Sequence, residues 1–290
     1  MRFLKLIKAS LDIIRPYNCL FVFFTVMLGG FYLVHYIEQS VFNKLLFAGI
    51  SAMFIAAAGY VINDFYDYSI DTINKPNRVL PKKKLSLSFA YRYAVALFLA
   101  GFAFAVFTSN LICILIAFIN SITLLLYAQR FKKSFLVGNL IVAWNAASTF
   151  IFGAIITNNF KGILLLVIIS FLYTILREFI KVIEDYEGDK ANQANTLAVA
   201  LGKEKALIYS YFPAGLMIVS VFVMFFLSFL TIEMFLILNI IIIVPLFVFF
   251  YIMHKSLHKV IVADVQKYMK LNMLSIVLLY ITNDILNLRI

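Results

Sequence analysis

Apolar runs long enough to cross about 30 Å of hydrocarbon recur along this chain, separated by short polar stretches. They fall at roughly 17–37, 42–62, 88–108, 110–129, 134–157, 160–181, 206–230, 232–253 and 268–288. Each is read as a membrane-spanning helix, which predicts an all-α polytopic protein of nine transmembrane helices. Little more than Ser109-Asn110 separates the third run from the fourth, and the seventh meets the eighth near Thr231. Both pairs are therefore expected to form tight hairpins. The stretch Met1 to Ile14 mixes Arg2, Lys5 and Lys8 with Phe3, Leu4, Leu6, Ile7 and Leu11 and has no small-residue cleavage site after it. It reads as a retained amphipathic helix in the membrane interface, not as a cleaved signal.

Composition strengthens this picture. The 290 residues are 64% hydrophobic and 13% charged, with a mean hydropathy of +0.98, whereas soluble domains run near half apolar and about a quarter charged. A soluble enzyme and a disordered chain are both excluded, and 11 Gly with 2 Cys exclude collagen-like and disulfide-rich classes. Cys19 and Cys113 lie inside apolar runs and read as small core residues. The net charge of +11 invites a nucleic-acid partner until the basic residues are placed. Of 25 Lys and Arg, 22 fall on one side of the predicted membrane, against Lys44, Lys161 and Arg289 on the other. That asymmetry makes the rich side cytoplasmic, with the N-terminus inside and the C-terminus outside. The charge is then topological, and no nucleic-acid partner is expected. A single membrane domain over 1–290 is expected, with two cytoplasmic loops longer than a turn requires, at about 63–87 and 182–205.

Those loops hold most of the acids. Of 14 Asp and Glu, eight lie in two short windows: Asp64, Asp67 and Asp71, then Glu178, Glu184, Asp185, Glu187 and Asp189. Acids near membrane depth are costly and mark functional sites by default. Continuing the second span as a helix stacks Asn63, Asp67 and Asp71 on one face, with Asp64 able to join them. Like charges on one stripe repel, so a cation is expected there, and hard oxygen ligands suit Mg²⁺. Asp185 and Asp189 make a second carboxylate pair, with Lys181 one turn earlier. Mg²⁺ between such pairs can bridge to a phosphate group, with Lys75, Arg78, Arg130, Lys132 and Lys181 as counter-ions for the remaining phosphate charge. Glu178, Glu184 and Glu187 also read as solvated loop residues, and the basic residues as positive-inside charge.

At these residues the sequence resembles the UbiA-type intramembrane prenyltransferases. The run Asn63-Asp64-x-x-Asp67-x-x-x-Asp71 followed by Asn74-Lys75-Pro76 and Arg78 is similar to that family's first signature. Asp185-x-x-x-Asp189 followed by Lys190 and Thr196-Leu197 is similar to its second, and Arg15-Pro16-x-Asn18 also fits. The resemblance implies nine helices around a central cavity that opens to the cytoplasm. Two Mg²⁺ would be held by Asp67, Asp71, Asp185 and Asp189, with Asp64 a further metal candidate and Asn63 a polar partner. Asn18, Lys75, Arg78, Lys132 and Lys181 would bind substrate. The implied reaction ionises a polyprenyl diphosphate and passes the allylic cation to an acceptor. Arg177-Glu178-x-x-Lys181 with Glu184-Asp185-x-Glu187-Gly188-Asp189-Lys190 most resembles the digeranylgeranylglyceryl phosphate synthase branch, whose acceptor is geranylgeranylglyceryl phosphate and whose product is an ether lipid. Val182 and Val79 depart from that branch's pattern.

Two other readings stay beside this one. An aromatic acceptor, such as 4-hydroxybenzoate or dihydroxynaphthoate, keeps the chemistry but asks for a pocket that holds a flat ring. An ion-coupled transporter would place acids near the bilayer midplane and break its helices with Gly or Pro; here the acids cluster at cytoplasmic ends. His254 and His258 share a helical face on a basic segment and read as solvated. Asn139, Trp144 and Asn145 read either as cavity residues or as helix glue.

Overall fold

The structure is a computed structural model that describes residues 2–34 and 36–287; Arg289, placed above on the outer side, lies outside the described residues. The chain runs α1 (Arg2–Ile14), α2 (Pro16–Phe31), α3 (Gln39–Tyr66), α4 (Tyr68–Asn74), α5 (Leu87–Phe107), α6 (Leu111–Gln129), a 3₁₀ turn (Phe131–Lys133), α7 (Val137–Thr157), α8 (Phe160–Glu184), α9 (Tyr186–Ala191), α10 (Leu197–Leu201), α11 (Lys203–Phe226), α12 (Ile232–Lys255) and α13 (Lys259–Asn287). All described regular elements are helical, as hydrocarbon requires of a chain that must satisfy its own backbone.

Among the described residues, α3, α5, α6, α7, α8, α11 and α12 are each long and apolar enough to cross a membrane, which makes seven. An eighth candidate is the pair α1–α2, bent by 50°. The expectation of nine is not matched one for one, for two physical reasons. At 16 residues, α2 spans only about 24 Å at 1.5 Å per residue. Although α13 has 29 residues, Lys259, Asp264, Lys267 and Lys270 make its first half polar. Large side chains on these helices stand outward, among them Phe212, Phe226, Ile240 and Phe247. In water such a surface would be an aggregation site; against lipid tails it is the solvated face. The chain is an integral membrane protein.

Two compact units divide the chain, Met1–Phe131 with Ser148–Asn159, and Lys132–Ala147 with Phe160–Ile290, so α7 contributes to both. In the first unit α3 packs against α1, α2, α5 and α6. Its buried face is built from small residues, Ala48, Gly49, Ser51, Ala57 and Ala58, because helices in lipid associate through close backbone approach. At Gly101 of α5 an added Cβ would press on Ile55 and on the Ser51 carbonyl, and the Ser51 hydroxyl donates to the Gly101 carbonyl at 2.7 Å. Gly153 of α7 lies against the Val26 carbonyl of α2 more tightly still. The polar loop after α4 is itself anchored, since Val79, Leu80 and Leu85 are buried in the same core as Val61 and Ile62.

In the second unit α8 packs against α11 and α13. Its inner face buries Ile163, Leu166, Ile169, Tyr173, Leu176 and Ile180. Polar pins set the register of these helices. Tyr173 donates to Asn272 Oδ1 at 2.7 Å, and Asn272 donates to the Ile241 carbonyl of α12 at 2.8 Å. Gln266 donates to the Arg177 carbonyl at 2.7 Å.

Candidate active site

Both acid motifs use the same backbone device. The first sits where α3 passes into α4, and the junction is Asp67, at φ −81°, ψ −1°. The second sits where α8 passes into α9, and the junction is Asp185, at φ −85°, ψ 0°. In each case the i to i+4 hydrogen-bond ladder runs through the junction. Asp67 N–H bonds to Asn63 and Asp71 N–H to Asp67, at 2.9 and 2.8 Å. Asp185 N–H bonds to Lys181 and Asp189 N–H to Asp185, both at 2.9 Å. The predicted stacking at one-turn spacing is thus present, although both windows were expected to be loops. What was expected to be irregular is a short helix with one aspartate at the joint and the next a turn further on.

In the first unit Asp64, Asp67 and Asp71 are all buried, at 6%, 6% and 4% exposure. Asn63 donates to Asp67 Oδ2 at 2.8 Å. The repulsion expected among the three is relieved by arginine. Arg78 Nη1 reaches both Asp71 Oδ2 at 2.5 Å and Asp64 Oδ1 at 3.0 Å, and Arg15 Nη2 reaches the same Asp64 oxygen at 2.7 Å. Arg78 is placed by its neighbours in the chain, because burial of Val79 and Leu80 fixes the loop that carries it. Arg15 is placed by the backbone. It occupies the left-handed region at φ 55° between α1 and α2, a conformation that costs a non-glycine residue about 1 kcal/mol or more, and its guanidinium lies 4.8 Å over the Tyr60 ring. From the sequence, Arg15 entered only through the resemblance of Arg15-Pro16-x-Asn18 to the family pattern and was given no role in the site. Lys75 follows α4 and is exposed, while Asn18 is exposed on α2.

In the second unit the segment after α9 folds back. Ala194 N–H bonds to the Asp189 carbonyl at 2.9 Å, and Asn195 N–H bonds to the Lys133 carbonyl at 3.0 Å. That second bond ties the 3₁₀ turn to the motif and brings Lys132 within electrostatic reach of Asp189. Burial pushes the Asp189 carboxyl above its ordinary range and the Asp185 charge adds to this, while Lys132 and Lys181 pull it down. Lys181 is half-buried and lies 3.4 Å from Glu178. Glu178, read from the sequence as a solvated acid, is instead 5% exposed, with Arg177 on its other side at 3.7 Å. Burial of a charge at this depth requires such partners. Glu187 is exposed and pairs with Lys203 at 3.1 Å. His254 and His258 are both exposed, and the His254 ring meets the Tyr211 hydroxyl.

Among the described residues, no three His, Cys, Asp or Glu side chains converge into a cage for a metal ion. Paired carboxylates without a cage fit Mg²⁺, which keeps waters and is bound through one or two carboxylates plus substrate phosphate. The donor set is therefore suited to a metal that arrives with a phosphorylated substrate.

Comparison with known proteins points the same way. Residues 22–274 match the UbiA prenyltransferase family. The digeranylgeranylglyceryl phosphate synthase of Methanococcus maripaludis strain C5 is 37% identical over 202 residues, 70% of this chain and 72% of that one. That of Sulfurisphaera tokodaii is 37% identical over 228 residues, 77% and 80% of the two chains. A solved structure of a digeranylgeranylglyceryl phosphate synthase matches with a TM-score of 0.77 at 30% identity, covering 96% of this chain and 98% of its own. A UbiA homologue from Archaeoglobus fulgidus bound to GPP and Mg²⁺ shares the fold, with a TM-score of 0.71 at 19% identity over 94% and 99% of the chains. With two aspartate motifs built on one backbone plan, the chain belongs to the UbiA prenyltransferase family.

Proposed function

We propose that this protein transfers a geranylgeranyl group from its diphosphate to the free hydroxyl of geranylgeranylglyceryl phosphate, forming an ether lipid. The observation that carries the reading is the set of digeranylgeranylglyceryl phosphate synthases at 37% identity over 70% and more of the chain. The aspartate pairs and their cations supply the chemistry.

Asp67, Asp71, Asp185 and Asp189 would hold Mg²⁺, two ions in all, with Asn63 orienting Asp67. When bound, Mg²⁺ neutralises charge on the departing diphosphate and acts as its template. Lys75, Arg78, Lys132 and Lys181 contribute charge-assisted hydrogen bonds to the diphosphate oxygens, and Asn18 meets substrate from α2. The bond between the allylic carbon and the diphosphate oxygen breaks with its electron pair leaving on diphosphate. The acceptor oxygen then bonds to that carbon and gives up its proton to the departed diphosphate. Stabilising the leaving charge by fixed cations is electrostatic catalysis, and an apolar surround keeps water from capturing the cation. Both motifs and the basic loops are assigned to the cytoplasmic side. The whole chain, 1–290, is assigned to one prenyltransferase domain.

The test is a transfer assay on the purified protein in lipid, with labelled geranylgeranyl diphosphate and Mg²⁺. Parallel reactions contain geranylgeranylglyceryl phosphate, 4-hydroxybenzoate or dihydroxynaphthoate. Labelled ether lipid in the first reaction alone supports the proposal. Label on an aromatic acceptor keeps the mechanism and removes the substrate, and no transfer with donors of any length removes both.

A further inference from the structure

The first motif holds one more carboxylate than the Asp67–Asp71 pair requires. We infer that Asp64 is a positioning residue that anchors the guanidinium groups of Arg15 and Arg78 beside that pair and takes no metal itself. The inference rests on the prenyl-transfer reading, since it concerns the cations that would meet the donor diphosphate.

One oxygen, Asp64 Oδ1, accepts from both arginines, at 2.7 and 3.0 Å, on a side chain only 8% exposed. A metal taking Asp64 would have to displace two guanidinium groups, leaving Arg15 without its carboxylate and Arg78 with Asp71 alone, next to a divalent ion. Partly buried cations with no counter-charge are strongly disfavoured. Arg15 also has little freedom to leave. Its backbone forms the bend between α1 and α2, and its guanidinium is stacked on Tyr60.

Asp71 is different. The cation it shares with Asp64 comes from the loop residue Arg78, which bridges the two carboxylates through one nitrogen. When Asp71 takes a metal, Arg78 can give up that contact and keep its hold on Asp64. It then stays within reach of the diphosphate that accompanies the metal. Asp64 thus acts through two arginines, and α1 is tied to the acid motif through Arg15.

The test uses the full-length protein in lipid nanodiscs, with Mn²⁺ binding followed by electron paramagnetic resonance and inorganic diphosphate binding by calorimetry. The double variant Asp64→Asn/Arg15→Gln removes one charge of each sign, so the net charge near the motif is unchanged. It is expected to bind Mn²⁺ within about threefold of the parent. Diphosphate should bind about tenfold more weakly, equivalent to about 1.4 kcal/mol, because the Arg15 guanidinium is gone and Arg78 has lost its anchor. Asp67→Asn is the reference for loss of a metal ligand. Mn²⁺ binding weakened in the double variant as much as in Asp67→Asn would overturn the inference, and so would diphosphate bound as tightly as by the parent. Should the double variant fail to fold, Asp64→Glu carries the test. A longer carboxylate still reaches both guanidinium groups, so parent-like Mn²⁺ binding supports the anchor and a tenfold loss refutes it. If the unmutated protein binds neither Mn²⁺ nor diphosphate, the prenyl-transfer reading itself fails, a result distinct from those of the variants.

Discussion

Replacing Asp67 with asparagine removes a charge with almost no change in shape, which makes it a sharp probe of the site. The side chain is 6% exposed and takes its hydrogen bond from Asn63 at 2.8 Å. Its backbone N–H bonds to the Asn63 carbonyl at 2.9 Å, a contact that the substitution leaves intact. The amide still offers one oxygen to Asn63, so the loss at that contact should be about 1 kcal/mol, the net worth of one hydrogen bond. For a protein of this size that is a Tm shift of about 2–4 °C. The chemistry loses far more. Removing one positioned electrostatic stabiliser of a developing anion typically costs about 10²–10³ in kcat, or ~2.7–4 kcal/mol. Asp185 occupies the equivalent joint of the second motif, with φ and ψ within a few degrees of those of Asp67. Asp185→Asn should therefore show a loss of the same order. The assay pairs prenyl transfer at saturating Mg²⁺ with a thermal melt of each variant. Either variant keeping more than about a tenth of parental activity would refute the role of the pair in stabilising the leaving charge. Activity lost only together with a collapse in Tm would show that the effect is structural.

Three further outcomes follow from the same geometry. Chelation of divalent ions should abolish transfer, and added Mg²⁺ should restore it within the same sample; transfer that persists in excess chelator contradicts the assignment. Gly153→Val places a side chain against the Val26 carbonyl, so α2 and α7 must part; overpacking of this kind costs about 3 kcal/mol, read as a lower Tm and a loss of monodisperse protein. Asn272→Leu removes two interhelical hydrogen bonds and orphans the Tyr173 hydroxyl; with each such bond in a membrane worth about 0.6 kcal/mol, unfolding in detergent should show a loss of about 1–2 kcal/mol, and an unchanged midpoint would mean that the pins do not set register.

Much of this protein is written in local pattern. Apolar runs of membrane length can be satisfied only as helices, because hydrocarbon offers the backbone no partners. The helices α3, α5, α6, α7, α8, α11 and α12 accordingly lie where the runs lie, with ends displaced by a few residues. The acids at one-turn spacing were legible for the same reason: a helix repeats every 3.6 residues, so Asn63, Asp67 and Asp71 stack whatever surrounds them. The crossing count was less legible. Seven helices pass on length and apolarity by themselves and the bent pair α1–α2 makes an eighth candidate, so the count of nine is not confirmed: α2 alone is short and the start of α13 is polar.

Tertiary structure alone decided what neutralises the acids. Arg15 and Asp64 are 49 residues apart, and no periodicity links them; they meet because α1 and α2 pack along α3. Glu178 looked solvated because it lies at the cytoplasmic end of a predicted span, yet helix packing buries it between Arg177 and Lys181. Lys132 approaches Asp189 because a backbone bond from Asn195 draws the 3₁₀ turn toward α9. Helical periodicity acts over a few residues and is visible in the chain itself. Ion pairing in a medium of low dielectric acts between whichever charges the packing brings within a few ångströms, and that selection exists only once the helices are assembled.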